Sequence, residues 1–179
     1  EGPAHTMSPV GVVEAGITAF YPSRDYYSRL RQDAATIDRY ISTAKHTLVM
    51  VSINLMTGIP FNELCTCLER KFNDQAGRFR ATISLLDPRR PELMTVMAPV
   101  LNIEPHELER SIRRSLRDLV LFKRKLREEV RGGFDVRAHG VVPFGSAILL
   151  DHEHETGRIQ IETKPYKAGP FNNATLFDI

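Results

Sequence analysis

The strongest constraint in this chain is a spacing. Two short, nearly uninterrupted apolar runs, Thr47–Leu55 (TLVMVSINL) and Arg80–Leu86 (RATISLL), stand on either side of a stretch with helical periodicity. Runs this short and this apolar read as strands covered on both faces. Between them, after Gly58-Ile59-Pro60, Leu64, Cys65, Leu68 and Phe72 place an apolar stripe on a helix over Phe61–Phe72. A strand, a helix and a second strand of these lengths predict a right-handed crossover joining parallel strands.

The flanking segments extend this pattern. Val10–Phe20 reads as a short extended lead-in that ends at the turn Tyr21-Pro22-Ser23-Arg24, and Tyr27, Leu30, Ala34, Ile37 and Ile41 place a stripe on a helix of about five turns. Pro91 opens a short helix reaching about Leu101, and Glu104-Pro105 opens a long one carrying Ile112, Leu116, Leu119, Phe122, Leu126 and Val130, closed by Gly132-Gly133. The last third lacks helix signals. Phe134–Ala138, Ala147–Asp151, Arg158–Thr163 and Thr175–Ile179 are strand candidates, and the loop Asp151–Gly157 makes two of them a hairpin. The expected fold class is α/β, a mixed, mostly parallel sheet with helices on both faces.

A chain of 179 residues suits one hydrophobic core, so residues 8–179 are read as a single domain. Glu1–Met7 reads as a cloning or protease-site remnant, which suggests excision from a longer protein. Cys65 and Cys67 point to different sides of their helix and lack a second Cys/His pair, which speaks against a disulfide scaffold or a zinc site; a cytoplasmic setting is expected. No window has the length of a membrane span. The net charge of +2 does not by itself call for a polyanionic partner. Basic residues concentrate on the long helix, at Arg110, Arg113, Arg114, Arg117, Lys123, Arg124, Lys125, Arg127 and Arg131. That stripe could draw nucleic acid, but the solvated face of an amphipathic helix explains the same residues without a partner and is the preferred reading, since no aromatic residues interleave with the charges.

The segment from His139 to Tyr166 (HGVVPFGSAILLDHEHETGRIQIETKPY) gathers polar residues that a strand-rich stretch does not need. With the preceding order of helix, strand HTLVMVSINL, helix, strand RATISLL and helices, it resembles the phospholipase-D-like superfamily over roughly Ile37–Thr163. Active members of that family carry HxKxxxxD, in which the His attacks phosphorus and the Lys holds phosphate oxygens. With Asp151 as the Asp, the His position is Phe144 and the Lys position is Ser146. A phenyl ring cannot form a phospho-enzyme and a hydroxyl brings no positive charge, so the resemblance implies a degenerate domain that binds rather than turns over. It also implies a homodimer with its pocket near the two-fold, and a phosphate-containing small molecule as ligand.

The ligand-binding candidates are Ser146, Asp151, Glu162, Lys164 and Arg24. Strand alternation puts Gln160, Glu162 and Lys164 on one face, and Arg24 stands ahead of the first helix as an anion contact. The alternative is a phosphodiesterase or nuclease using His139 with Asp151 and Lys164 from two subunits. A third reading is a nucleic-acid-binding module working through the basic helix. The run Asp151-His152-Glu153-His154-Glu155 has the residue types of a metal site, but a hairpin tip preorganises ligands poorly; no metal and no cofactor are expected.

Overall fold

The computed structural model describes residues 19–21, 37–55, 60–75, 77–143, 145–163 and 175–178. In chain order these form β1 (Ala19–Tyr21), α1 (Ile37–Ser42), β2 (Thr47–Ser52), α2 (Phe61–Asp74), β3 (Arg80–Leu86), α3 (Pro91–Met97) with a following 3-10 turn (Ala98–Leu101), α4 (Pro105–Lys125), α5 (Glu128–Arg131), β4 (Phe134–His139), β5 (Gly145–Leu150), β6 (Arg158–Thr163) and β7 (Thr175–Asp178). The strands make one seven-stranded mixed sheet in the order β1-β7-β6-β5-β2-β3-β4. The lead-in expected at Val10–Phe20 and the first turns of the helix expected from Tyr27 fall largely outside the described residues, as do Arg24, Phe144 and Lys164.

The crossover predicted from the two apolar runs is present, with β2 parallel to β3 and Leu48 beside Ala81, Met50 beside Ile83. β4 continues the parallel set on the far side of β3. The remaining pairings are antiparallel, so the sheet is less parallel than expected. The cause lies in the segment after β4. It leaves β4 at the carboxyl ends of the parallel strands and enters β5 at that same end, so β5 must run back along β2, and the hairpin turn after β5 reverses β6 in turn.

Both crossover helices lie on one face of the sheet. The chain steps from β2 to β3 to β4 in one direction, and right-handed crossovers in one direction put both crossover helices on the same side. Phe134 of β4 makes edge-on ring contacts with Phe72 of α2 and with Phe122 of α4, with centroids 6.1 and 5.5 Å apart. On that face Leu48, Ala81, Ile83, Leu85 and Phe134 are buried. On the other face Val49, Val51, Thr82, Ser84, Leu149, Ile159 and Ile161 are only half-buried.

The expected long helix breaks before its predicted end. Leu126 leaves the helical region at ψ 145°, and α5 follows as a separate turn. The guanidinium of Arg131 folds back onto the carbonyls of Leu126 and Arg124, at 3.0 and 3.2 Å, and so satisfies the open end of α4. Gly133 then lets β4 start close to β3, since a Cβ there would lie 2.7 Å from the Phe79 carbonyl oxygen. Among the described residues no helix is long and apolar enough to cross a membrane.

Candidate functional site

In open α/β sheets, ligands bind outside the carboxyl ends of the parallel strands. Here those ends are Ser52 of β2, Leu86 of β3 and His139 of β4, and the antiparallel β5 begins beside them at Gly145-Ser146. The segment after β4 crosses this end of the sheet and exposes Val141 and Val142.

Ser52, at the end of an otherwise apolar strand, is buried, and its hydroxyl donates to the Asn54 carbonyl at 2.7 Å. The Ser146 hydroxyl lies 2.8 Å from Ser52 Oγ. Because the Ser52 proton is engaged with Asn54, Ser146 is the donor of that pair. Next to Ser146 in register, on the same face, stands Glu162 of β6, and two residues further back Gln160 stands opposite Ile148. Both are buried, so the alternation read from the sequence holds for Gln160 and Glu162, on the helix-covered side, while Lys164 lies outside the described residues.

The His139 ring reaches across the end of β3. Its Nδ1 is 3.0 Å from the Val141 carbonyl oxygen and its Nε2 is 3.2 Å from that of Ser52. A neutral imidazole donates to one of these carbonyls and an imidazolium to both. In the neutral ring the second nitrogen keeps its lone pair but faces a carbonyl oxygen, which has no proton to give it.

At the end of β3, the Asp87 carboxylate accepts from the backbone N–H of Arg89 at 3.0 Å and from its guanidinium at 2.8 to 3.2 Å. Those bonds hold the Asp87 pKa down to about 2. Arg90 donates to the Gly140 carbonyl at 3.2 Å and pairs with Glu92. This end of the sheet therefore combines hydroxyls, an imidazole and two guanidinium groups.

Asp151 belongs to the opposite end. It follows β5, about 16 Å along the strand from Ser146 at the usual rise per residue. Its carboxylate accepts from the backbone N–H groups of Lys45, His46 and Thr47, each at 2.7 Å, at the entry to β2. Burial pulls its pKa up, but these three bonds and the nearby His46 outweigh burial and leave it below the ordinary carboxylate value. Close by, Lys71 donates to the Ala44 carbonyl at 2.6 Å, and the His46 and His154 rings lie 4.4 Å apart. The structure thus brings Ser146, Glu162 and the neighbourhood of His139 to one end and sets Asp151 at the other. His139 and Asp151 do not converge within one chain.

Sequence reasoning passed over Ser52, Asn54, Asp87, Arg89 and Arg90 as site residues. The available signal was polar side chains at the carboxyl ends of two apolar strands. The basic helix α4 is partly engaged with itself, through Arg113 with Glu109 and Arg117 with Asp118. Cys65 is half-buried and Cys67 buried on α2, and burial pushes the Cys65 thiol up to about 11. Among the described residues no three His, Cys, Asp or Glu side chains cluster as a metal site. No protein-family model matches the chain, and no curated protein is significantly similar to it.

Proposed function

We propose that this chain is a non-catalytic, phospholipase-D-like binding module that recognises a phosphate-bearing small molecule at the carboxyl ends of its parallel strands and serves as a sensory or regulatory domain. The observation that carries the reading is the engagement of the reactive atoms at that end. Ser52 Oγ donates to a carbonyl rather than to a base, Ser146 donates to Ser52, and both His139 nitrogens face carbonyl oxygens. A nucleophile needs an adjacent base that takes its proton, and neither hydroxyl donates to a ring nitrogen, whereas a binding site needs only donors and positive charge around an anion. Arg89 and Arg90 supply that charge, and exposed Val141 and Val142 offer an apolar wall for the rest of a ligand. In this reading two copies associate about the family's two-fold.

Native mass spectrometry of the purified protein tests occupancy and oligomeric state together: a dimer that retains a phosphate-bearing species supports the proposal. Incubation with bis-p-nitrophenyl phosphate and with single-stranded DNA, with and without divalent metal, tests turnover. Release of product that is abolished by His139→Ala would replace this reading with the phosphodiesterase.

A further inference from the structure

The sheet ends at β4, which among the described residues pairs with β3 alone. In a parallel pair, the main-chain groups of alternate residues point at the neighbour and those of the residues between them point away. The carbonyls of Gly133 and His139 accept from the N–H groups of Ala81 and Asp87, so residues 133, 135, 137 and 139 face β3. The N–H and C=O groups of Phe134, Val136 and Ala138 therefore point to the free edge, where no described strand meets them. Arg137 and Ala138 are exposed, and Asp135 and Val136 are half-buried, so this edge is accessible.

Open edges in natural sheets are commonly guarded by charge, because like charges set opposite each other repel. The charges of β4 behave differently. Phe134 faces the helices through its ring contacts with Phe72 and Phe122, so strand alternation puts Asp135 and Arg137 together on the other face, where they pair at 2.9 Å. Two copies of β4 laid antiparallel about a two-fold at Asp135 would set two carboxylates opposite each other, and at Arg137 two guanidinium groups. A two-fold at Val136 instead sets each Asp135 opposite Arg137 of the other copy. In that same register Val136 lies opposite itself and Phe134 opposite Ala138, so the residues whose main-chain groups point outward become the hydrogen-bonded pairs. Asp135 also has Lys123 of α4 at 3.6 Å, and the lone pairs of a carboxylate leave room for a further guanidinium.

We infer that β4 is a homodimer interface, which pairs antiparallel with β4 of a second copy about a two-fold at Val136 and joins the two sheets into one. The main-chain bonds supply the adhesion, and the crossed Asp135 and Arg137 pairs select the register. This contact runs along the sheet edge, apart from the strand ends, and does not depend on what binds there.

Hydrogen exchange of the full chain, followed in 15N–1H spectra at rising protein concentration alongside sedimentation velocity, tests the inference. A dimer is expected, in which the amides of Phe134, Val136 and Ala138 exchange more slowly than in the dilute chain, while those of Asp135 and Arg137, already turned to β3, change least. Arg137→Asp sets carboxylates opposite each other and is expected to weaken the dimer roughly tenfold or more. Asp135→Arg combined with Arg137→Asp restores opposite charges in the same register and is expected to bring the affinity back to within about threefold of the parent. The exchange pattern of the parent decides the matter even where a variant folds poorly, and an unchanged urea midpoint shows that it does not. A chain that stays monomeric at every concentration, a dimer in which Phe134, Val136 and Ala138 exchange as they do in the monomer, a dimer indifferent to Arg137→Asp, or a double variant as weak as the single one would each overturn the inference.

Discussion

At its amino end β2 is held by an ionised carboxylate that accepts from three consecutive backbone amides, whereas at its carboxyl end two hydroxyls and an imidazole share bonds with one another and with backbone carbonyls. Both ends are polar and both belong to the same buried strand. They differ in how completely the groups are matched. Asp151 sits at φ 48°, in the left-handed region, with its carboxylate accepting from three backbone N–H groups and its own N–H bonded to the Thr47 carbonyl. A charge bonded in this way to three consecutive amides holds structure together. The other end bonds neutral hydroxyls and an imidazole beside exposed guanidinium groups and a loop, the kind of segment on which binding residues are most often carried.

The sharpest way to break this contrast is to remove the carboxylate. Asp151→Ala leaves three backbone N–H groups without their acceptor, and a loss of about 4 kcal/mol in unfolding free energy is expected, read as a drop in the urea midpoint. Asp151→Asn keeps one acceptor oxygen and tolerates the left-handed backbone, so about half that loss is expected. The same carboxylate sets an acid limit. Its folded pKa lies below its unfolded value, so its stabilisation is complete above the unfolded value and disappears as the pH falls through the folded one. Stability is expected to decline below about pH 4, and more shallowly in Asp151→Asn. An equally steep decline in the variant would show that other groups set the limit.

The start of β5 gives the next largest effect. Gly145 is buried, and a Cβ there would run into the Glu162 carbonyl on β6. Gly145→Ala must therefore push β5 away from β6 beside Ser146, with an expected loss of about 2 kcal/mol. It should also weaken any ligand at the strand ends, while the amide shifts of Lys45 to Thr47 stay in place. Movement at both ends would mean that the two ends are not independent.

How far the sequence carried depends on the range of each interaction. β2 and β3 were legible because their apolar runs are local signals, and the hairpin after β5 because its turn is. Asp151 was legible as a singular residue but not in its role. Its partners Lys45, His46 and Thr47 lie 104 to 106 positions away, and a bond to a backbone N–H leaves no mark on the partner's identity. The Ser52–Ser146 pair spans 94 positions and is hidden for the same reason. The polarity of the sheet turns on which edge β5 joins, a tertiary choice that periodicity does not encode. The break at Leu126 depends on one arginine folding back, although the apolar spacing runs on unbroken to Val130.

At the open end, single hydroxyls matter less than Asp151. Ser52→Ala leaves the Asn54 carbonyl and the Ser146 hydroxyl without their shared partner, and about 1 kcal/mol is the expected loss in unfolding free energy. A loss as large as that of Asp151→Ala would erase the contrast between the ends.

The smallest effect is expected at Asp87, and it separates charge from stability. Arg89 holds the Asp87 carboxyl at about 2 mainly through its side-chain hydrogen bonds and its own backbone N–H, yet the Arg89 side chain is 75% exposed. An exposed pair of this kind adds little to folding because water already solvates the guanidinium. Arg89→Ala is therefore expected to move the Asp87 titration back toward the ordinary carboxylate range, seen in carbon-detected spectra of the carboxyl group, while the urea midpoint stays where it was. The backbone N–H of residue 89 persists in the variant, so the return is expected to be partial. A full return with a lowered midpoint would mean that the turn after β3 is held by the guanidinium, and that the strand-end site is as rigidly built as the end closed by Asp151.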